Sequence, residues 1–274
     1  MGVQGQLKQE GHAVSMSQLC RWFGMPRRTV YYRPASRAVV QNPVLKAQVF
    51  EALNQFPTYG YRRLAVVLGS NEKPVQRILQ LNGWQVRKRP AGKRPRAQAM
   101  PSVSAAPNQR WATDTAMVWC GRDLYCHLSL VVDCCTREIL SWRLAKRGNA
   151  QTVEATLEEA LIERFGCLGR VTAPLILRSD NGLVFSSKRF TSTVKAYGLT
   201  QEFITPYTPQ QNGLVERLIR SIKEECIWLN NFKDIQHAKA QIAAYVRFYN
   251  SHRPHQALGY KTPKEVFIGH PLVA

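Results

Sequence analysis

The sequence predicts an α/β domain over residues 111–270 and a small all-helical region over residues 1–84, joined by a linker. Three observations support this division. Apolar residues make up 45% of the 274 residues, which is enough for a packed core. Strand-like and helix-like runs alternate after residue 110, whereas the earlier runs are helical. Lys and Arg outnumber Asp and Glu by 18 to 3 in residues 1–110, but only by 20 to 15 in the remainder.

Three consecutive strand-like runs open the α/β domain, at residues 110–119, 123–133 and 137–146. Short polar turns separate them, a pattern that predicts an antiparallel meander. The order continues to βββαβαβα with a terminal helix, as follows: helix 149–166, strand 173–180, helix 187–198, strand 199–206, helix 212–230 and helix 234–250. Helical periodicity predicts that the first of these helices buries Val153, Leu157, Ala160, Leu161 and Phe165.

The basic front half has two segments with the outline of a helix-turn-helix. Residues 15–33 predict a helix, a turn at Gly24 and a short basic helix. Residues 43–83 predict three helices, and the third, which contains Pro74, would be the one offered to DNA. A plain helical hairpin is the alternative for the first segment, and a helical spacer with solvated arginines is the alternative for the second. The candidate contacts to phosphates or bases are Arg62, Arg63, Lys73 and Arg77.

Residues 85–110 form a basic linker rich in Pro and Ala. It carries Arg87, Lys88 and Arg89 near its start and no acidic residue. Such a segment cannot bury a core, so we expect it to be extended. Because it is basic, it could lie along a phosphate backbone, and DNA binding by residues 1–100 should weaken steeply with salt.

Composition also argues against several classes of protein. No apolar run approaches the roughly 18–20 residues of a membrane span, and the N-terminus lacks the apolar core of a signal peptide. The seven cysteines contain no CxxC pair and the six histidines are scattered, so reduced thiols in the cytoplasm are favoured over disulfides or structural zinc. The net charge of +20 favours a polyanionic partner over a merely soluble basic protein.

Three carboxylates stand in settings that suggest a metal site. Asp114 lies inside an apolar strand-like run, Asp180 ends another, and Glu216 lies near the start of a helix. Thirty-five residues separate Asp180 from Glu216. Carboxylates converging from two strands and a helix would bind hard divalent cations such as Mg²⁺ and support chemistry on phosphodiesters.

Each carboxylate also has an ordinary structural explanation. Asp114 could pair with an arginine on an edge strand, Asp180 could form an Asp-Asn-Gly turn, and Glu216 could form a surface pair with Arg220. Lys223 shares the helix face of Glu216 and could reach a DNA phosphate.

Other polar residues have structural interpretations. Asn212 could cap the helix that carries Glu216. Asp123 and Asp133 are interpreted as turn residues at the ends of a strand. Three acidic residues are interpreted as the solvated face of their helix: Glu158, Glu159 and Glu163.

These motifs resemble a known family. The βββαβαβα order with the three carboxylates resembles the ribonuclease-H-like catalytic core of retroviral integrases and DDE transposases. More narrowly, NQRWATD, LRSDNG, YTPQQNGLVERLIRSIKEE and the tail YVRFYNSHRPHQALGYKTPKEVF resemble the reading-frame-B product of insertion-sequence-three family transposases. YGYRRLAVVLGS…VQRILQLNGW resembles the helix-turn-helix segment of that family. The resemblance runs from about residue 15 to the C-terminus.

The resemblance implies a fold, a site and partners. The fold would be a mixed five-stranded sheet flanked by helices. Asp114, Asp180 and Glu216 would be the catalytic triad and would bind two Mg²⁺ or Mn²⁺ ions. Lys223 would follow the Glu by two turns. The additional candidate DNA contacts are Arg220, Asn181 and Asn212.

The implied activity is metal-dependent cleavage and strand transfer of double-stranded DNA at element ends and target. The implied assembly is a homo-oligomer on DNA, fused to or paired with the frame-A product, in the bacterial cytoplasm at the nucleoid. Two alternatives stay open: a non-catalytic regulator or incomplete subunit that binds DNA, and a ribonuclease acting on RNA–DNA hybrids.

Overall fold

The computed structural model describes residues 2–33, 41–86, 103–205 and 209–270. The chain divides into two compact units, Met1–Asn42 and Pro43–Ala274. Three predicted DNA contacts of the linker lie outside the described residues: Arg87, Lys88 and Arg89.

The first unit contains α1 (Gly2–Gln9), α2 (Met16–Trp22) and α3 (Arg27–Tyr31). Ser15 starts α2 with a capping box, because its hydroxyl accepts from the amide of Gln18 at 3.3 Å and the Gln18 side chain accepts from the amide of Ser15 at 3.0 Å. The predicted helix, glycine turn and short basic helix are therefore present.

The second unit begins with α4 (Pro43–Gln55), α5 (Tyr61–Val67) and α6 (Glu72–Leu81). These helices bury a small apolar cluster of their own around Val49, Leu64 and Val75. The sequence predicts one helical region over residues 1–84, and its helices α4–α6 lie in the same compact unit as the α/β domain.

One mixed sheet of five strands forms the α/β domain. Its order is β3-β2-β1-β4-β5, with β1 central. The strands β1, β2 and β3 pair antiparallel, as the meander prediction required, and β4 and β5 add in parallel. The strand bounds are β1 (Arg110–Trp119), β2 (Tyr125–Asp133), β3 (Ile139–Ala145), β4 (Ile176–Ser179) and β5 (Thr200–Phe203).

Helices cover both faces of the sheet. One apolar cluster joins the sheet to α7 and α8, and another joins its opposite face to α9 and α10. The helix bounds are α7 (Ala150–Phe165), α8 (Lys188–Ala196), α9 (Gly213–Glu225), α10 (Ile235–Ser251) and α11 (Pro263–Ile268). None of the helices in the described part of the chain combines the length and apolar character needed to cross a membrane.

Two details differ from the sequence prediction. Phe165, expected on the buried side of α7, is 41% exposed, because it ends the helix and only stacks against Trp111 at 5.9 Å. The helix predicted to reach residue 230 ends at Glu225, and a 3₁₀ turn, Ile227–Leu229, follows it. The other predicted buried residues of α7 are buried: Val153, Leu157, Ala160 and Leu161.

Candidate active site on the central strands

The site begins where β1 and β4 separate. The two strands pair in parallel over three residues of β1, Arg110–Ala112, and Ala112 is aligned with Arg178. Two residues further along each chain stand Asp114 and Asp180. The register therefore places both carboxylates at the same level of the sheet, at the end of β4 where ligands gather in α/β folds.

Glu216 reaches the same region from α9. It lies in the first turn of that helix, and the neighbouring Val215 and Leu218 are buried against the sheet in the cluster that contains Ala112 and Ala116. These alanines are the same-face neighbours of Asp114, because alternate residues of a strand share a face. The small side chains let α9 approach β1 closely.

Electrostatics show that the three carboxylates and Lys223 share one environment. The pKa of Asp114 is raised to about 7, chiefly by burial. Asp180 and Glu216 each raise that pKa, and Lys223 and a hydrogen bond from the Thr115 amide lower it. The fold thus brings together the four residues that sequence analysis expected to meet.

The ordinary explanation of Asp114 does not hold, whereas that of Asp180 does. Asp114 lies on the central strand, not on an edge strand. Asp180 accepts a hydrogen bond from the amide of Gly182 at 2.9 Å, so it does form the predicted turn. A Cβ at Gly182 would lie 2.9 Å from the carboxylate of Asp180, so glycine leaves that carboxylate room.

Carboxylate oxygens are suitable ligands for a hard cation, but in this structure the three carboxylates are not arranged around a common point. Among the described residues, no three His, Cys, Asp or Glu side chains lie, as placed in this structure, in an arrangement that could hold a metal ion. Asp114 and Asp180 are each turned to a backbone amide. Mutual repulsion opposes closer approach of three carboxylates, and a divalent cation would offset it.

Arg178 anchors the elements that carry Asp180 and Glu216, and sequence analysis missed it. It is 2% exposed, its Nε donates to Glu202 on β5 at 2.7 Å, and its Nη1 donates to the carbonyl of Gln211 at 2.7 Å. Gln211 precedes α9, so one side chain ties β4, β5 and the start of that helix. Its position inside an apolar run was the available signal, since an arginine there needs partners.

The predicted DNA contacts differ in accessibility. Arg220, Asn181, Lys73 and Arg77 are exposed, and Lys223 is half-buried beside the carboxylates. The amide nitrogen of Asn181 donates to the carbonyl of Ile204 at 2.9 Å. Arg62 is exposed and lies 3.6 Å from Glu72.

Asn212 and Arg63 differ from the prediction. Asn212 stands at the N-cap of α9 but makes no capping hydrogen bond, and it is 3% exposed, which leaves it no surface for DNA. Arg63 donates to Glu225 at 3.1 Å and lies over the ring of Tyr59, so it joins α5 to α9.

Glu225 is the centre of a buried ion-pair network that sequence analysis did not anticipate. Arg253 donates to both of its carboxylate oxygens, at 2.6 and 2.7 Å, and the Tyr245 hydroxyl donates at 3.0 Å. Burial alone would raise the pKa of Glu225, but Arg253 and Arg63 outweigh it and hold the pKa below its usual range. The network joins α5, α9, α10 and the tail.

Two family models match this chain, and each is described as an integrase core domain. One covers residues 104–209, which include Asp114 and Asp180, and the other covers residues 197–263, which include Glu216. The chain contains an integrase core. The sheet order and the helices on both faces confirm the predicted ribonuclease-H-like architecture.

Curated proteins and solved structures that are similar to this chain include the following. Transposase InsD for insertion element IS2D of Escherichia coli (strain K12) is 28% identical over 230 residues, covering 80% of this chain and 76% of the relative. Transposase InsD for insertion element IS2A/D/F/H/I/K of Escherichia coli gives the same values. A simian T-cell lymphotropic virus intasome has 18% identity over 81% of this chain and 75% of the other, with a TM-score of 0.49. The catalytic core domain of BIV integrase has 21% identity over 59% and 94%, with a TM-score of 0.43.

Proposed function

We propose that this chain is a DNA transposase of an insertion sequence, which cuts and joins DNA strands with Asp114, Asp180 and Glu216. One observation carries the proposal: the register of β1 and β4 places Asp114 and Asp180 at the same level of the sheet, and Glu216 lies in the first turn of α9, which packs on the face of β1 that carries Asp114. Carboxylates brought together from different elements are typical of sites that hold hard divalent cations. The likeness to insertion-element transposases supplies the substrate, DNA.

The three carboxylates would hold Mg²⁺ or Mn²⁺, and we propose two ions. When bound, such ions lower the pKa of an attacking water or DNA 3′-hydroxyl and stabilise the leaving oxygen of an in-line displacement. Asp114 would supply a half-buried ligand oriented by the Thr115 amide, and Asp180 a half-buried ligand oriented by the Gly182 amide. Lys223 would bind a phosphate oxygen of the scissile strand beside the carboxylates.

The assembly and the family assignment follow from the same resemblance. The finer assignment is the reading-frame-B product of an insertion-sequence-three family element. We propose a homo-oligomer that pairs two element ends, completed by the frame-A portion and acting at the bacterial nucleoid. The helices α4–α6 would contribute phosphate contacts through Lys73 and Arg77, which are exposed.

A nicking assay tests the function. The chain, alone and fused to the frame-A portion, is incubated with labelled duplexes that carry the ends of its own element. We expect strand cleavage with Mg²⁺ or Mn²⁺ and none with a chelator. Tight binding without cleavage in either form would instead identify a DNA-binding regulator. Preferential cutting of RNA–DNA hybrids would identify a ribonuclease.

Salt dependence tests the proposed phosphate contacts. DNA affinity of the full chain should fall linearly on a log–log plot against salt concentration, because phosphate contacts release counterions. Lys73→Gln and Arg77→Gln should each reduce the slope by about 1, measured by fluorescence anisotropy. Lys195→Gln is the matched control, since Lys195 is an exposed lysine of α8, which packs on the sheet face opposite α9. Unchanged slopes for Lys73→Gln and Arg77→Gln would place the DNA elsewhere.

A further inference from the structure

A groove of about 610 Å³ lies beside the candidate active site, between the β1–β2 hairpin and the segment after α9. Four large side chains line its walls, and each of these residues is at least 50% exposed: Met117, Trp119, Tyr125 and Trp228. We call it the aromatic groove. Single exposed apolar side chains are common on protein surfaces, whereas a cluster of large ones indicates a binding surface.

The aromatic groove and the carboxylate site share the helix α9. Lys223 lines the groove and follows Glu216 by two turns of that helix. Strand β1 pairs with β4 only as far as Ala112. From there to Trp119 it pairs with β2 alone. DNA held at the carboxylates would therefore come within reach of the groove at Lys223, beside the edge of β1 that β4 leaves unpaired.

The groove is built from rigid parts. The amide of Arg122, in the hairpin turn, donates to the carbonyl of Lys233 at 3.1 Å, and Asp123 accepts from the amide of Ile235 at 2.9 Å. A Cβ at Gly121 would lie 2.4 Å from the carbonyl oxygen of Phe232, so the two segments touch. The walls are thus fixed relative to each other before any ligand arrives.

The chemistry of the lining favours unpaired nucleotides. Trp119 and Tyr125 pack edge to face at 5.1 Å, and Trp228 faces the same space from the segment after α9. Aromatic faces stack on bases of any sequence. Lys223 adds a positive charge, and no carboxylate lines the groove in the described part of the chain. The side-chain amide of Asn231 can pair with base edges, whereas that of Asn230 already donates to the carbonyl of Cys226 at 2.8 Å.

We propose that the aromatic groove binds unpaired bases of the DNA strand next to the site of cleavage. This inference rests on the proposed function, since it takes the DNA from the carboxylate site. It goes further in naming single-stranded nucleotides as the ligand. A second copy of the chain would be the competing occupant, but the lysine and the lack of carboxylates favour a polyanion.

Binding of two DNA probes tests the proposal. One probe is a fluorescent blunt duplex, and the other is the same duplex with a short tail of unpaired thymidines. Affinities of the full chain are measured by anisotropy in chelator, which prevents cleavage. We expect roughly tenfold tighter binding of the tailed probe, because stacking one base on an aromatic ring is worth that order of affinity.

Variants assign the preference to the groove. Trp119→Ala and Trp228→Ala should each remove most of the tailed-probe advantage, whereas Trp119→Phe should keep it. Leu229→Ala is the matched control, because Leu229 is 53% exposed beside Trp228 but does not line the groove.

Three results would overturn the proposal: no preference for the tailed probe, equal losses on both probes, or a loss of oligomer in the tryptophan variants, which would indicate a protein interface. Metal-dependent cleavage that survives alongside such results would leave the proposed function standing.

Discussion

Replacing Asp114 by Asn should lower the rate of strand cleavage by roughly a thousandfold or more, because losing a metal ligand costs several kcal/mol of transition-state stabilisation. DNA affinity should stay equal or rise, since the substitution removes a negative charge from the site. Glu216→Gln should behave in the same way. The measurement is the nicking assay with Mg²⁺, paired with anisotropy on the same duplex.

The matched control is Glu163→Gln, because Glu163 is an exposed acidic residue on α7. This variant should cleave DNA at the wild-type rate. Cleavage by Asp114→Asn at more than about a tenth of that rate would remove Asp114 from the catalytic machinery, since a tenfold loss is only about 1.4 kcal/mol.

Stability against pH gives a second readout for Asp114. Its pKa is raised from 3.8 to about 7 in the folded chain. Protonated Asp114 therefore contributes stability that is fully present below about pH 4 and is lost as the pH rises through about 7. In metal-free buffer, Asp114→Asn should lack this loss, which urea unfolding at several pH values would detect.

Replacing Glu225 by Ala should lower the free energy of unfolding by about 3–5 kcal/mol, because it leaves Arg253 buried without its partner. Arg253 is 3% exposed and makes two hydrogen bonds to Glu225. Urea denaturation is the measurement. The loss should also loosen α9, whose first turn carries Glu216.

Two comparisons make the Glu225 result specific. Glu163→Ala should change stability by no more than about 0.5 kcal/mol, as expected of an exposed residue. The double variant Glu225→Leu with Arg253→Met should recover much of the loss, because an apolar pair of similar volume can replace a buried ion pair. A Glu225→Ala loss below about 1 kcal/mol would mean that the network contributes little.

The residues of the candidate site could be predicted because each has a local signature. Asp114 and Asp180 interrupt or end apolar runs, and Glu216 follows a turn-rich loop at a helix start. Local patterns of this kind determine strands and helix starts, so the element order and the antiparallel meander were predicted from them, whereas the mixed five-stranded sheet was implied by the family resemblance.

The remaining features depend on residues far apart in the chain. Arg63 and Glu225 are 162 positions apart, and neither sequence neighbourhood signals their pairing. This pairing helps to hold α4–α6 against the α/β domain. Asn212 shows a related limit, since a capping pattern locates a helix start but not the direction in which the side chain points.

Arg178 also affects how much the interval between Asp180 and Glu216 can vary in length. Thirty-five residues separate Asp180 from Glu216. Arg178 donates to Glu202 and to the carbonyl of Gln211 within this interval, so it fixes β5 and the start of α9 relative to β4. Loop closure becomes only about 0.6 kcal/mol more costly with each doubling of length. Insertions in this interval that leave the contacts of Arg178 intact should therefore be tolerated, because the positions of the two carboxylates would not change. The placement of the two carboxylates therefore depends on the buried arginine more than on the number of residues between them.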